Sequence, residues 1–268
     1  MQEKLRSFVR WLCIFLCLIS AIVFAYLFYD SVRVDVPNEA IREPVEELYI
    51  PQVIAEEPQK DEGAEEDEEP PPPELMPRIV ELRALYDNPD IVGFIEITGT
   101  NVSYPVVQTG NNVFYLYHDL QWNVSSAGSI FLDYENNLYE LADDNTIIYG
   151  HNMRNGSKFH NIRFFHQEEF FRSHTYISLY TPYRETVWDI FSFFHTTIDF
   201  CYLTTNFQSR DAFYEFLLEL QSRSHFTTDA VLSEDDQILI LSTCAAIGGD
   251  NRYVLVARLR HEAEKQQV

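Results

Sequence analysis

A cysteine and an arginine stand at the two ends of a short loop near the C-terminus of the 268-residue chain. An apolar run ends at Cys244, a glycine-containing loop follows, and a second apolar run begins at Arg252. Two buried strands joined by such a loop bring a thiol and a guanidinium to one end of a sheet. Because a nearby positive charge favours the thiolate, this pattern predicts a cysteine nucleophile with Arg252 beside it.

A nucleophilic thiol needs a base, and among eight histidines the local pattern favours His151. His151 follows the predicted strand Thr146–Tyr149 and Gly150, and it precedes a polar loop. A histidine at a strand end is held by the sheet and still reaches a substrate beyond it. We expect Gly150 to let the backbone turn sharply there. For Cys244 considered alone, a buried and inert thiol is the alternative interpretation.

Composition excludes some classes of partner. The formal net charge is -23, from 42 acidic and 19 basic residues, and such a balance argues against binding to nucleic acid. The 46% apolar content supports one sizeable core. We find no dedicated metal cluster and expect no cofactor, since Asp133, Asp143 and Asp144 are interpreted as surface carboxylates rather than a calcium site.

The chain contains four cysteines, and two of them, Cys13 and Cys17, lie in the apolar N-terminal segment. The remaining two, Cys201 and Cys244, are too few for a disulfide framework in a domain of this size. We interpret Cys201 as a buried thiol, with a Cys201–Cys244 bridge as the alternative.

The N-terminal part predicts a membrane anchor and a spacer. Residues 11–29 carry no charge and are long enough to span a bilayer as a helix. Because residues 1–10 are basic, the positive-inside rule predicts a cytoplasmic N-terminus and a catalytic domain outside the cell membrane. A cleaved signal peptide is the alternative. Residues 30–74 are acidic and rich in proline, which predicts a disordered linker.

Residues 75–268 predict one globular domain of mainly β structure with helices, a mixed β-barrel. Strands are predicted at Val92–Ile97, Val102–Val107, Ser129–Leu132, Thr146–Tyr149, Thr175–Tyr180, Thr186–Thr196, Gln237–Ser242 and Arg252–Leu259. Helices are predicted from Pro77 onwards, over Lys158–Phe171 and over Asp211–Leu220.

Several motifs, in this order along the chain, resemble those of the sortases. They are Tyr-Gly-His-Asn-Met at 149–153, Leu-Ser-Thr-Cys at 241–244 and Asn-Arg-Tyr-Val-Leu-Val-Ala-Arg-Leu at 251–259. Sortases are membrane-anchored cysteine transpeptidases of mainly Gram-positive bacteria. The stretches 110–119, 127–134 and 151–157 resemble class B in particular, and the resemblance covers about residues 77–260.

The resemblance implies an eight-stranded β-barrel with N-terminal and inserted helices, and it implies a reaction. Cys244 would attack the carbonyl carbon of a Thr–x bond in a C-terminal sorting signal and form a thioester, with His151 as its acid/base partner. Arg252 would stabilise the oxyanion or hold the substrate backbone. An amine of the cell wall would then resolve the thioester.

The family pattern also implies substrate-binding residues. Asn112 and Leu116 would line the substrate groove, and Tyr149 and Ser242 would flank the catalytic pair. The predicted strand Thr186–Thr196 and the loop after it would form a groove wall and decide which sorting motif is bound.

The implied partners are surface proteins or pilins with a sorting signal, a peptidoglycan precursor or a pilin lysine as the amine, and the membrane through residues 11–29. Three alternatives to cell-wall attachment stay open. A pilin-polymerising sortase would use a pilin lysine as the amine. A hydrolytic cysteine peptidase would release free acid even with abundant amine. A non-catalytic, membrane-tethered binding domain would keep only the barrel and groove.

Overall fold

The computed structural model describes residues 73–197, 200–244 and 251–260, which belong to one compact unit of the chain. The predicted cytoplasmic terminus, membrane span and almost all of the predicted linker lie outside these residues. Within the described ranges, no helix combines the length and the apolar character needed to cross a membrane.

Eight strands close into a single barrel, which confirms the predicted fold. They are β1 (Ile91–Glu96), β2 (Ser103–Val107), β3 (Ile130–Leu132), β4 (Asn145–His151), β5 (Tyr176–Tyr180), β6 (Glu185–Thr196), β7 (Ile238–Cys244) and β8 (Arg252–Leu259). Their order around the barrel is β1-β2-β3-β4-β7-β8-β6-β5, and β5 pairs back onto β1. Two of these pairings, β2 with β3 and β4 with β7, are parallel.

Three α-helices accompany the described strands: α1 (Pro77–Tyr86), α2 (Glu168–Ser173) and α3 (Arg210–Ser222). Helix α1 begins with Pro77 as predicted. Proline is tolerated there because the N–H groups of the first turn have no partner within the helix, so the missing N–H costs no hydrogen bond. Ser209 caps α3 by accepting a hydrogen bond of 3.1 Å from the Ala212 N–H.

The segment Lys158–Phe171 is helical as predicted, but it is divided into two helices of different type. The segment forms a 3₁₀ helix, Phe159–His166, and then α2, with Gln167 extended between them at φ -92° and ψ 125°. The buried residues of the 3₁₀ helix are Phe159, Ile162 and Phe165, which are three positions apart. Side chains at i and i+3 align in a 3₁₀ helix, so packing of this row selects the tighter helix.

Buried side chains form two layers, one on each face of the barrel wall. The inner layer receives residues from every strand and is closed at one end by the 3₁₀ helix Phe159–His166. The outer layer includes Ile147, Tyr149, Ile240 and Val254 and packs against α3. Because successive strand residues face opposite ways, alternate positions of β4, β7 and β8 belong to the outer layer.

Gly150 is an interior position of β4, so the predicted sharp turn at this glycine is wrong. Its backbone φ is not among the positive values found at other glycines of the described chain. A Cβ at this position would lie 2.4 Å from Ile130 Cδ1 and 2.8 Å from the Phe159 ring. Glycine is therefore needed here so that Phe159 can cover the inner layer beside His151.

We predict that Gly150→Ala lowers the free energy of unfolding by about 1–3 kcal/mol, because the added methyl overpacks the barrel interior. Urea denaturation measures this change. Gly110→Ala is the matched control, because no atom lies within 4 Å of the added Cβ there. The control should stay within about 0.5 kcal/mol of the wild type. Equal stability of the two variants would contradict the packing role.

Candidate active site

The parallel pairing of β4 with β7 brings the predicted base and nucleophile together. Its register runs through seven pairs, from Asn145 opposite Ile238 to His151 opposite Cys244. Both residues therefore end their strands at the same edge of the barrel, with their backbones directly adjacent. Their separation of about ninety residues along the sequence is closed by this one ladder.

Arg252 lies at the same edge, at the start of β8. Strands β7 and β8 are antiparallel, with Ser242 opposite Val254. The pairing ends at these two residues, and β7 continues to Cys244 while β8 begins two residues earlier, at Arg252. Strand alternation also assigns positions 151 and 252 to the outer face that carries Tyr149 and Val254. The backbones of the three predicted catalytic residues thus lie at one edge of the barrel, while their roles stay predictions.

The imidazole of His151 is half-buried and held by a backbone carbonyl. Its Nε2 lies 2.9 Å from the Leu116 carbonyl oxygen. Because a carbonyl only accepts, Nε2 carries the hydrogen, and Nδ1 is the nitrogen that gains or loses a proton. Burial lowers the pKa of His151, the bond to Leu116 opposes this shift, and the charge of Lys158 lowers the pKa further. The neutral imidazole is therefore favoured at neutral pH.

Leu116 ends the 3₁₀ turn Phe114–Leu116, and its carbonyl explains why a glycine is needed at position 128. Gly128 adopts φ 52°, and a Cβ there would lie 2.5 Å from the Leu116 carbonyl oxygen. The chain can pass this carbonyl only without a side chain. Leu116 was predicted to line the substrate groove; the structure shows its side chain half-buried against the outer layer and its carbonyl fixing His151.

Lys158 is a charged neighbour of His151 that sequence reasoning missed. It adopts a positive φ of 58° and donates its backbone N–H to the Tyr104 hydroxyl at 2.9 Å. Lys158 also forms an isolated antiparallel β-bridge with Asn152, which brings the chain back beside His151. Burial lowers the pKa of Lys158, and the Asp119 carboxylate opposes that shift. No spacing in the sequence signals this approach, because it depends on the loop conformation.

Asn112 and Tyr149 meet on one carboxylate, Asp133. The Asn112 Nδ2 and the Tyr149 hydroxyl donate to the same Oδ2 at 2.8 and 2.7 Å. Asp133 is 5% exposed, so its interpretation as a surface carboxylate is wrong. Hydrogen bonds to a buried charge are strong, and these hold the chain after β3 against β4, two residues before His151. The burial of this carboxylate could have been inferred from the position of Asp133 directly after a buried strand.

Ser242 is buried on β7, two residues before the predicted nucleophile Cys244. Its hydroxyl is 2.8 Å from the Tyr202 hydroxyl. The Asn145 Nδ2 donates to the Thr204 carbonyl at 2.8 Å. Side chains of β4 and β7 therefore both anchor segment 200–204, the loop that was expected to form a groove wall.

A cleft of about 390 Å³ lies between this segment and β8. It is lined by Phe200, Cys201, Tyr202, Leu203, Thr204 and Arg252. Cys201 is an exposed, free thiol, so its interpretation as a buried thiol is wrong, and the alternative of a bridge to Cys244 is excluded. Over the described part of the chain, no three His, Cys, Asp or Glu side chains are grouped so as to hold a metal ion.

Comparison with known proteins gives consistent relatives. A family model described as the sortase domain matches residues 95–260. Sortase B of Listeria monocytogenes is 38% identical over 165 residues, 61% of this chain and 67% of that protein. Sortase B of Staphylococcus aureus is 33% identical over 174 residues, 64% of this chain and 71% of that protein. A solved Staphylococcus aureus sortase B–substrate complex matches with a TM-score of 0.66 and 30% identity, over 70% of this chain and 87% of that one.

We predict that Lys158→Met raises the pKa of His151, because the substitution removes a positive charge that disfavours the imidazolium and keeps an aliphatic side chain in place. Titration of the His151 ring resonances by NMR measures the change. Arg154→Met, which removes the same charge from an exposed position of the same loop, should leave this pKa in place. A pKa of His151 that stays constant or falls in Lys158→Met would refute the assigned interaction.

Proposed function

The chain belongs to the sortase family, with sortases B as its relatives, and from this premise we propose that it is a cysteine transpeptidase. We propose that it cleaves a Thr–x bond in a C-terminal sorting signal and transfers the acyl group to an amine of the cell wall. The observation that carries the proposal is the β4–β7 register, which pairs His151 with Cys244 at the edge where Arg252 begins β8.

In the first half of the proposed reaction, the thiolate of Cys244 attacks the carbonyl carbon of the scissile bond and forms a tetrahedral oxyanion. This intermediate collapses as the C–N bond breaks. The leaving amine takes a proton from Nδ1 of His151, and a thioester remains. The hydrogen bond from Nε2 to the Leu116 carbonyl supports this step, because it holds the ring and stabilises the imidazolium.

In the second half, an amine of the acceptor attacks the thioester carbonyl. The new C–N bond forms, the C–S bond breaks, and His151 accepts the proton that the amine loses. The lowered pKa of His151 suits this proton transfer from the amine, because a neutral imidazole can act as a base. The protonated form needed in the first half is then a minor species at neutral pH.

Arg252 supplies the positive charge in the proposed mechanism. It lines the cleft beside segment 200–204, and its Nη1 donates to the Asn251 carbonyl at 3.4 Å. A guanidinium stays protonated at all relevant pH and offers several donors in a planar fork. Such donors can stabilise the oxyanion or bind the carbonyls of a sorting signal in the cleft.

We further propose that residues 11–29 anchor the protein in the cell membrane, with the N-terminus cytoplasmic and the catalytic domain outside. The uncharged length of this segment and its basic flank support the proposal. The acidic, proline-rich residues 30–74 would then act as an extended spacer between membrane and enzyme.

We predict that incubation of the full-length chain with a library of Thr-containing sorting peptides yields a thioester on Cys244. Mass spectrometry detects the adduct, and Cys244→Ala should abolish it. With an added amine, the main product should be an amide. Free acid as the main product at high amine concentration would favour a hydrolytic peptidase instead, and the absence of any adduct would favour a binding domain.

We predict that Arg252→Lys lowers kcat/KM at least about a hundredfold, because a compact ammonium cannot reproduce the planar fork of donors. Steady-state kinetics with the best peptide of the library measures the loss. Arg172→Lys is the matched control, because Arg172 forms an exposed ion pair with Glu168 on α2. Near-wild-type turnover of Arg252→Lys would refute the role of the guanidinium.

A further inference from the structure

A second cleft, of about 440 Å³, opens at the same edge of the barrel and has an unusual charge. It is lined by Arg163, His166, His195, His225, Asn251 and Tyr253. Four of these side chains are cationic or become so on protonation, and none is acidic. The chain has a formal net charge of -23, so a cleft with this lining is a locally positive site on an acidic protein.

Separate elements of the fold build this second cleft. His195 of β6 lies opposite Tyr253 of β8 in the barrel wall, and the 3₁₀ helix Phe159–His166 contributes Arg163. His225 follows α3 and donates its backbone N–H to the Phe193 carbonyl at 2.8 Å. The rings of Phe193 and His225 also meet edge to face, with centroids 5.3 Å apart. The basic side chains are thus gathered by the tertiary fold.

Two of the histidines hydrogen-bond to each other. His195 Nδ1 lies 3.0 Å from His225 Nε2, so one ring donates and the other accepts. Burial lowers the pKa of His225, and the charges of His195 and His166 lower it further. An anion in the cleft would offset this repulsion, because it pairs with each imidazolium and with the guanidinium of Arg163.

The second cleft borders the end of β8 that lies beside the end of β7, where the proposed nucleophile is. The backbone N–H of Tyr253 donates to the Thr243 hydroxyl at 3.0 Å, and Thr243 directly precedes Cys244. Arg252 lines the first cleft and Tyr253 the second. Because neighbouring strand residues face opposite ways, the two clefts flank β8 on opposite sides. A ligand in the second cleft therefore leaves the first cleft free for the acyl donor, and both clefts border the strand end at which Cys244 lies.

We propose that the second cleft binds a carboxylate or phosphate group of the amine acceptor and so holds the attacking amine near Cys244. This inference rests on the proposed transpeptidase function. The acyl donor and the acceptor must be bound together at the thioester stage, and the two clefts offer separate subsites for them. Holding the acceptor by its anionic group raises the effective concentration of its amine.

Acceptor kinetics test the proposal with two matched peptides, Gly-Gly-Glu and Gly-Gly-Gln amide, which has the same amine but no carboxylate. In His195→Gln/His225→Gln, we expect the KM for Gly-Gly-Glu to rise about tenfold, since the ionic contacts of two exposed imidazoles are lost together. The KM for Gly-Gly-Gln amide should stay constant. Arg172→Gln, outside the cleft, should change neither value. An equal rise of both KM values in the double variant, or no rise of either, would overturn the proposal.

Direct binding separates this inference from the proposed function, because it needs no catalysis. The imidazole resonances of the full-length chain are followed by NMR during titration with glutarate and, separately, with inorganic pyrophosphate. Saturable shifts of His195 and His225 with either ion support an anion site, and the ion that binds identifies carboxylate or phosphate as the group recognised. Absence of shifts with both ions overturns the inference, whether or not a thioester forms on Cys244.

Discussion

The parallel register of β4 against β7 is the constraint on which the candidate site depends. It sets the backbone of His151 opposite that of Cys244 at one edge of the barrel. A slip of one residue would move every side chain of one strand to the other layer. The closed barrel prevents such a slip, because each strand is also tied to a second neighbour. The packing of the inner layer thus protects the geometry of the outer face.

Around this ladder, buried polar contacts orient the site. The Leu116 carbonyl fixes which nitrogen of His151 carries the hydrogen, and the Asp133 carboxylate holds Tyr149 two residues earlier on β4. Each contact joins β4 to a loop that lies beside it. Buried polar groups must be paired, so these loops are ordered by the same contacts that orient the histidine. Several residues with no chemical role are therefore required for the chemistry.

Charge is distributed unevenly over this acidic protein. The first cleft carries the guanidinium of Arg252, and the second gathers Arg163 and three histidines without a carboxylate in its lining. Both clefts border β8 at the edge where the thioester is proposed to form. The acidic residues 30–74 would repel an anionic ligand, whereas the positively charged side chains of these two clefts would attract it. Local charge, rather than net charge, decides which ligands each cleft can bind.

The sequence by itself determined the strands, the sortase resemblance and the three residues expected to react. Alternating apolar patterns and motif spacing are local properties, so they survive without a structure. The tertiary structure alone decided that β4 and β7 are parallel, that Gly150 serves packing rather than a turn, and that Asp133 is buried. It also gathered Lys158 beside His151. These features depend on contacts between distant segments, and barrel closure rather than local propensity chooses those contacts.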